Sequence, residues 1–141
     1  MTEHTLLIIK PDGVRRNLVE DILKRVGDHG FSVVARKDMV LTRELAGDLY
    51  AVHMGKHFFD NLMKYALSGP VVVLKLQRVN AIQELRNLIG ATDPLKAKKG
   101  TIRGDLKDPN SPKDPSVMEN LVHASDSVEN ANRELEIFFP S

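Results

Sequence analysis

The sequence contains no cysteine and no tryptophan, and its aromatic residues are two tyrosines and five phenylalanines. A chain without cysteine has no disulfide framework, no thiol nucleophile and no cysteine-bound zinc. With 42% hydrophobic and 28% charged residues, the composition is that of an ordinary globular protein. These figures exclude a disordered chain, a collagen-like chain and a disulfide-stabilised miniprotein.

Long hydrophobic runs are also missing. The first apolar run, Leu6–Ile9, is short, whereas a secretory signal peptide needs about 7–15 apolar residues and a membrane span about 18. No stretch of the sequence meets either requirement. We therefore predict a soluble, cytoplasmic protein with no membrane partner.

Neither sign of charge is in excess. The 20 lysines and arginines nearly balance the 19 aspartates and glutamates, for a net charge of +1. The chain therefore has no global field that would attract it to nucleic acid or to a membrane surface. Its 141 residues lie within the usual size of one domain, about 100–200 residues. Because we find no linker and no internal repeat, we predict a single domain over residues 1–141.

Several segments have the apolar, β-branched character of strands. They are Thr5–Lys10, which is followed by the turn sequence Pro11–Gly13, then Phe31–Leu41, Val71–Leu76 and a short last strand at Glu136–Phe139. Helices are predicted where apolar residues recur three and four residues apart. These helices cover Asn17–His29, Leu45–Met54 after the capping residue Thr42, Phe58–Leu67, and the segment between the capping residue Asn80 and Gly90.

The segment Gly90–Val117 is rich in glycine, proline, lysine and aspartate and is predicted to be a long loop. A last helix is predicted to begin near Asp126, which has capping-box spacing with Glu129. The resulting order, β-α-β-α-α-β-α-loop-α-β, favours an α+β fold. We predict a ferredoxin-like sandwich, with a four-stranded antiparallel sheet and surrounding helices. This fold carries enzymes, RNA binders and regulatory modules, so it leaves the function open.

The common phosphate-binding and hydrolase motifs are absent. The sequence has no Gly-x-Gly-x-x-Gly, no P-loop, no Gly-x-Ser-x-Gly and no His-Glu-x-x-His string. His53 and His57 have a spacing that zinc ligands use, but no third ligand follows, so we interpret them as exposed side chains. His4 and His29 are interpreted in the same way.

His123 has the surroundings expected of a reactive histidine. It follows the apolar pair Leu121–Val122 and precedes a capped helix, so its imidazole would be held near the positive end of a helix dipole. A neutral imidazole is a competent nucleophile near pH 7. Taken alone, the local sequence favours a capping segment that contains an incidental histidine.

The long predicted loop is basic. It is interpreted either as a solvated surface loop or as a phosphate cradle, in which arginine provides bidentate geometry that lysine does not. Arg86, on the helix before the loop, has a position from which it could contribute. The cationic residues of the loop are Lys96, Lys98, Lys99, Arg103 and Lys107.

Taken together, several strings resemble the nucleoside diphosphate kinase family. TLLIIKPDGVRR is similar to the first strand of that family and its Lys-Pro-Asp turn, and SGPVVVL to its third strand. GATDP and GTIRGD are similar to its nucleotide loop, and NLVHASDSVENANREL resembles its active-site signature. The resemblance extends over nearly the whole chain.

The resemblance implies transfer of the γ-phosphoryl group of a nucleoside triphosphate (NTP) to a nucleoside diphosphate (NDP). Transfer would follow a ping-pong mechanism through a phosphohistidine on His123, with Ser125 and Glu134 holding the imidazole. Residues expected to bind the nucleotide are Lys10, Tyr50, Phe58, Arg86, Thr92, Arg103 and Asn120. The family uses magnesium that is held mainly by the nucleotide phosphates and water, so no protein metal ligand is expected. It forms hexamers and tetramers, and we expect a homo-oligomer, with a hexamer favoured.

The sequence departs from the family pattern at several places outside these residues. Lys56–His57 replaces Arg-Pro, Gln77–Arg78 replaces Glu-Gly, and Lys99 stands where a proline is common. Lys107–Glu119 is longer than the usual segment and is predicted to be an added surface loop.

Two other functions are compatible with parts of the sequence. A catalytically silent ferredoxin-like module that binds nucleotide or nucleic acid would suit the fold and the basic loop, but the small net charge and the lack of interleaved aromatics oppose nucleic-acid binding. A metal-dependent phosphohydrolase would need clustered metal ligands. The candidates Asp105, Asp108 and Asp114 do not have the required spacing.

Overall fold

The computed structural model describes residues 2–108 and 119–140. Most of the predicted surface loop at Lys107–Glu119 therefore lies outside the described residues. The strands are β1 (Thr2–Ile9), β2 (Ser32–Val40), β3 (Pro70–Val79) and β4 (Val122–Ala124). They form one antiparallel sheet in the order β2-β3-β1-β4. This arrangement confirms the predicted four-stranded antiparallel sheet of a ferredoxin-like fold.

Helices connect and flank these strands. They are α1 (Pro11–Arg15), α2 (Val19–Asp28), α3 (Arg43–Leu49), α4 (Phe59–Ala66), α5 (Ala81–Ile89), α6 (Ile102–Leu106) and α7 (Val128–Phe138). A single 3₁₀ turn, Ala51–His53, follows α3, so the predicted helix Leu45–Met54 is shorter than expected. The predicted cap of this helix is confirmed, because Thr42 accepts a hydrogen bond from the backbone of Leu45 at 3.1 Å.

The fourth strand of the sheet is not the one predicted. Glu136–Phe138 belongs to α7, and Phe139 ends that helix. The prediction was wrong because the β-branched and aromatic character of this short segment favours a strand locally. Its apolar side chains instead continue the helical spacing of Leu135 and bury Phe138 in the core. The strand that completes the sheet is β4, whose three residues pair with β1.

Three other local predictions were also wrong. Ser127, and not Asp126, caps α7 by accepting the N–H of Asn130 at 3.1 Å. Asn80 makes no capping hydrogen bond and has a left-handed backbone with φ 56°. The predicted long loop contains α6, which Thr101 caps with its hydroxyl.

Both faces of the sheet are covered by helices. Along β1, Leu7 and Ile9 face a core shared with α2 and α5, whereas Leu6 and Ile8 face a second core shared with α3, α4 and α7. All four side chains are at most 2% exposed. Two-sided burial explains why β1 is a continuous apolar run rather than an alternating one. Within the described ranges, no helix has the length and hydrophobicity needed to cross a membrane.

Candidate active site

A cavity of about 770 Å³ opens beside β4. Its wall is formed by the residue that directly follows β1, the segment from α3 to α4, the loop that follows α5, and the start of α7. The structure thus brings together residues that are far apart in the sequence. The predicted site residues in the wall are Lys10, Tyr50, Phe58, Arg86, Thr92, Arg103, Asn120, His123 and Glu134. Ser125 is fully buried directly behind the wall.

His123 lies in β4, where its backbone pairs with Ile8 of β1. Its imidazole Nε2 is 2.7 Å from Glu134 Oε1, and the same carboxylate oxygen accepts a hydrogen bond from Ser125 Oγ at 2.8 Å. Glu134 is only 4% exposed, and Arg133 is 3.5 Å from its other oxygen. The buried carboxylate is therefore doubly anchored and fixes the orientation of the ring.

This contact also selects the tautomer of His123. A carboxylate accepts hydrogen bonds, so Nε2 is assigned as the protonated nitrogen that donates to Glu134. The lone pair of the neutral ring is then on Nδ1. The edge of the Tyr50 ring lies near the imidazole, with 6.1 Å between ring centroids. Burial raises the pKa of the Tyr50 hydroxyl, so this side chain is a neutral phenol at physiological pH.

Lys10 is one of two buried cations of the site. It directly follows β1, is 7% exposed, and donates from Nζ to Asn120 Oδ1 at 2.8 Å. Burial lowers its pKa to about 7, assisted by repulsion from Arg103 and opposed by the carboxylate of Asp12. Its ammonium is therefore poised between charged and neutral forms at physiological pH, and any anion beside it would favour the charged form.

Arg103 connects α6 to the strand that carries His123. Its guanidinium donates to the carbonyl oxygens of Asn120 at 3.1 Å, Gly90 at 3.2 Å and Val122 at 2.7 Å. Burial lowers its pKa to about 10, so it stays charged at neutral pH. A guanidinium has five N–H donors, and three of them are used here. Arg103 can thus anchor the backbone and still offer N–H groups to the cavity.

The backbone just before His123 has an unusual conformation. Leu121 has φ 72°, and the N–H of Val122 donates to the carbonyl of Asn120 at 2.8 Å. A hydrogen bond between residues i and i+2 around a positive φ defines a γ-turn, a rare and strained arrangement. Leu121 is also 1% exposed, so surrounding contacts must maintain this turn.

Phe58 forms an aromatic surface at the outer part of the cavity, directly before α4. The rings of His53 and His57 each lie 5.4 Å from its ring, and the Lys56 ammonium lies 5.8 Å from its centroid. His53 is in the 3₁₀ turn and His57 follows it in a loop, so they do not share a helix face. Among the residues described, no cluster of three His, Asp or Glu side chains is arranged to hold a metal ion.

Some cavity residues were not assigned to a site by the sequence analysis. They include Tyr65 on α4, Asp93 in the loop after α5, and Asp126 and Asn130 at the start of α7. Asp126 had been interpreted as a helix cap, and the hydrogen bond from Asn130 holds its pKa below the usual range. The one available signal was that Tyr65 is one of two tyrosines in a chain poor in aromatics.

The chain is similar to known proteins over nearly its whole length. The family model described as "Nucleoside diphosphate kinase" matches residues 3–141. The chain belongs to the nucleoside diphosphate kinase family. It is 46% identical to the nucleoside diphosphate kinase of Metallosphaera sedula over 138 residues, which cover 98% of this chain and 94% of that protein. It is 45% identical to that of Fervidobacterium nodosum over 137 residues, covering 97% and 88%.

Solved nucleoside diphosphate kinases have the same fold. The structure from Halobacterium salinarum in complex with CDP has a TM-score of 0.90 at 38% identity, covering 100% of this chain and 90% of that one. The structure from Borrelia burgdorferi, a transition-state mimic with bound vanadate and ADP, has a TM-score of 0.89 at 34% identity, covering 98% and 87%. The chain is accordingly a phosphotransferase that acts on nucleoside triphosphates and diphosphates.

Proposed function

We propose that His123 carries the phosphoryl group between the two nucleotides, and that Nδ1 is the atom that accepts it. The observation that carries this proposal is the hydrogen bond from Nε2 to the buried carboxylate of Glu134. This bond engages one ring nitrogen and leaves the lone pair on the other. Because Glu134 is in turn held by Ser125, the ring keeps its orientation throughout the reaction.

The proposed reaction has two mirrored steps. In the first, the Nδ1 lone pair attacks the γ-phosphorus of an NTP in line with the bond to the β–γ bridging oxygen. That bond breaks, its electron pair leaves with the NDP, and a phosphoimidazolium remains. No proton is removed from His123, so no general base is required, and the carboxylate of Glu134 stabilises the positive charge on the ring. In the second step a different NDP attacks the phosphoryl group and regenerates the neutral imidazole.

Cationic side chains are proposed to hold the phosphates. Lys10, Arg86 and Arg103 line the cavity from three different elements, and phosphoryl transfer depends mainly on positioning and on neutralising charge on the phosphate oxygens. Lys10 and Arg103 are buried, where their electrostatic effect on an anion is stronger than in water. Thr92 and Asn120 would contribute hydrogen bonds.

Magnesium fits this site as a companion of the nucleotide. Mg²⁺ typically keeps several waters and binds one or two carboxylates together with substrate phosphates. The cavity wall contains the ionised carboxylate of Asp126, and no protein cage for a metal is found in the described part of the chain. We propose that phosphates and water hold the ion, with Asp126 as the carboxylate facing them. When bound, the ion would neutralise phosphate charge.

Phe58 is proposed to stack on the nucleobase. Stacking on an aromatic face tolerates all bases, because every base has a π-surface. Relatives have been solved with CDP and with ADP, one a pyrimidine and one a purine nucleotide. This supports broad base specificity for the present chain.

We further propose that the chain acts as a single domain and as a homo-oligomer in the cytoplasm, with a hexamer favoured over a tetramer. β2 supports oligomerisation, because it is an edge strand of the sheet and exposes Val33, Val34 and Val40 by 47–57%. Edge strands with exposed apolar side chains readily pair with another chain.

The proposed intermediate is tested by labelling. The protein is incubated with magnesium and ATP labelled on the γ-phosphate, and acid-labile, base-stable phosphoprotein is measured before and after addition of GDP. We expect label on His123 that moves to GTP. His123→Ala should take up no label while keeping its fold, and His29→Ala, a surface histidine bonded to the Arg25 carbonyl, should label normally. A folded wild-type protein without label would favour the silent binding module.

A further inference from the structure

Hydrogen bonds from several parts of the chain hold the strained turn at Leu121. Its carbonyl accepts the backbone N–H of Lys10 at 2.8 Å, and its own N–H donates to Asp12 Oδ2 at 3.1 Å. The adjoining carbonyls of Asn120 and Val122 accept hydrogen bonds from Arg103. The turn therefore depends on residues of the segment after β1 and of α6, neither of which is adjacent to it in sequence.

Asp12 and Tyr65 form a linked pair at this turn. The Tyr65 hydroxyl donates to Asp12 Oδ1, and the other oxygen of the same carboxylate accepts the backbone N–H of Leu121. Asp12 is 2% exposed. The pair thus receives the backbone N–H of Leu121 through Asp12. It also connects α4 to the turn, although α4 contributes no residue to the sheet.

The residues on either side of this turn belong to the proposed chemistry. The Asn120 side chain binds the Lys10 ammonium at 2.8 Å, and His123 follows Leu121 by two residues. A side chain in a strand projects according to its backbone, so a change of φ at Leu121 would move the imidazole of His123 relative to the amide of Asn120.

We propose that Tyr65 and Asp12 are positioning residues of the phosphotransfer reaction, which hold the γ-turn at Leu121 and thereby present His123 to the nucleotide. The inference rests on the proposed role of His123. It adds residues of α1 and α4 to the reacting assembly without requiring that either contact the transferred phosphoryl group. Neither is needed as an acid or a base, since the imidazole loses no proton.

Tyr65→Phe is the sharpest variant for a test. It removes one oxygen atom and keeps the ring that lies 5.1 Å from the Lys10 ammonium. The rate of His123 labelling is measured by rapid quench at saturating γ-labelled ATP, and ADP affinity by calorimetry. We expect the labelling rate to fall roughly 10- to 100-fold, as for a reacting group displaced by about 1 Å. Affinity should stay near that of the wild type, because Arg86 and Thr92 lie on other elements and Phe58 lies at the opposite end of α4 from Tyr65.

Ser68→Ala is the matched control. It also removes one hydroxyl hydrogen bond from the same region of the chain, to the Tyr65 carbonyl at 2.7 Å, but it does not reach the turn. Its labelling rate should equal that of the wild type. A labelling rate in folded Tyr65→Phe that equals the wild-type rate would overturn the proposal, and so would a loss of rate fully explained by lower ADP affinity.

Amide hydrogen exchange on the wild-type protein tests the same proposal without a variant. The N–H of Leu121 should exchange slowly, at a rate like those of the sheet. Fast exchange of this amide would show that the pair does not hold the turn. If the wild type itself takes no label on His123, the proposed function fails, whereas normal wild-type labelling with an unaffected Tyr65→Phe variant rejects the positioning role alone.

Discussion

Lys10 shows at the scale of one residue how a functional group can oppose folding. Its ammonium is buried without a full counter-charge, and its pKa falls from 10.5 to about 7. Between these two values the unfolded chain binds the proton that the folded chain releases. The titration of Lys10 therefore raises the free energy of unfolding as the pH increases across this window. Below pH 7 the buried ammonium destabilises the folded state to its full extent.

Lys10→Met should be more stable than the wild type at pH 6.5, by about 0.5–2 kcal/mol, while losing phosphoryl exchange. The difference should shrink as the pH rises toward 10, because the wild-type lysine becomes neutral in the folded state. Urea unfolding of both proteins at pH 6.5 and 9.5 measures this directly. A stability difference that is independent of pH would show that Lys10 is not titrating in the folded protein.

Residues such as Lys10 and His123 could be predicted because the strings that contain them are distinctive. The partnership of Tyr65 with Asp12 could not, since it joins residues 53 positions apart and depends on how α4 packs. The same holds for the φ of Leu121, because leucine has no intrinsic preference for a left-handed backbone. Ser127 and Asp126 are adjacent and are both good caps, so local sequence did not decide between them.

At the scale of elements, burial explains both the success and the failure of prediction. β1 and β3 were predictable because two helical layers cover them, so their apolar residues are consecutive. β4 has three residues, which is too short for a periodic signal, and it exists because β1 offers a free edge. The α6 helix was not predicted because it lies in a basic, glycine-containing stretch. Thr101 caps this helix by accepting the N–H of Gly104.

Two helical glycines should respond oppositely to alanine. A Cβ at Gly104 would lie 2.1 Å from the Lys98 carbonyl oxygen and 2.8 Å from the hydroxyl of Thr101. Gly104→Ala should therefore disrupt the cap of α6, displace Arg103 and destabilise the protein by about 1–3 kcal/mol. Loss of exchange activity should accompany it.

Gly27, in α2, is the matched control, because a Cβ there meets nothing within 4 Å. Gly27→Ala should stabilise the protein by roughly 0.5–1 kcal/mol through helix propensity and leave activity unchanged. Urea unfolding and an exchange assay on both variants make the comparison. Equal stability changes in the two would refute the packing argument for α6.

At the scale of the whole molecule, the two edge strands of the sheet have different surroundings. β4 and the cavity occupy one edge, whereas β2 occupies the other. Most of β2 is exposed although its neighbour β3 is buried. Because the cavity lies beside β4, at the opposite edge of the sheet from β2, assembly through β2 would leave its entrance accessible. The sheet can therefore separate assembly from chemistry.

This separation predicts the behaviour of an edge variant. Lysines at Val33 and Val34, which are 48% and 47% exposed, would place charges along β2 and oppose its pairing with another copy. The double variant should have a lower mass in solution by light scattering than the wild type, which should exceed the 15.8 kDa of one chain. Val79→Lys, a 57% exposed strand valine of β3, should retain the wild-type mass. A double variant of unchanged mass would place the contacts between copies on another surface, since two buried charges at a β2 interface could not be accommodated without partners.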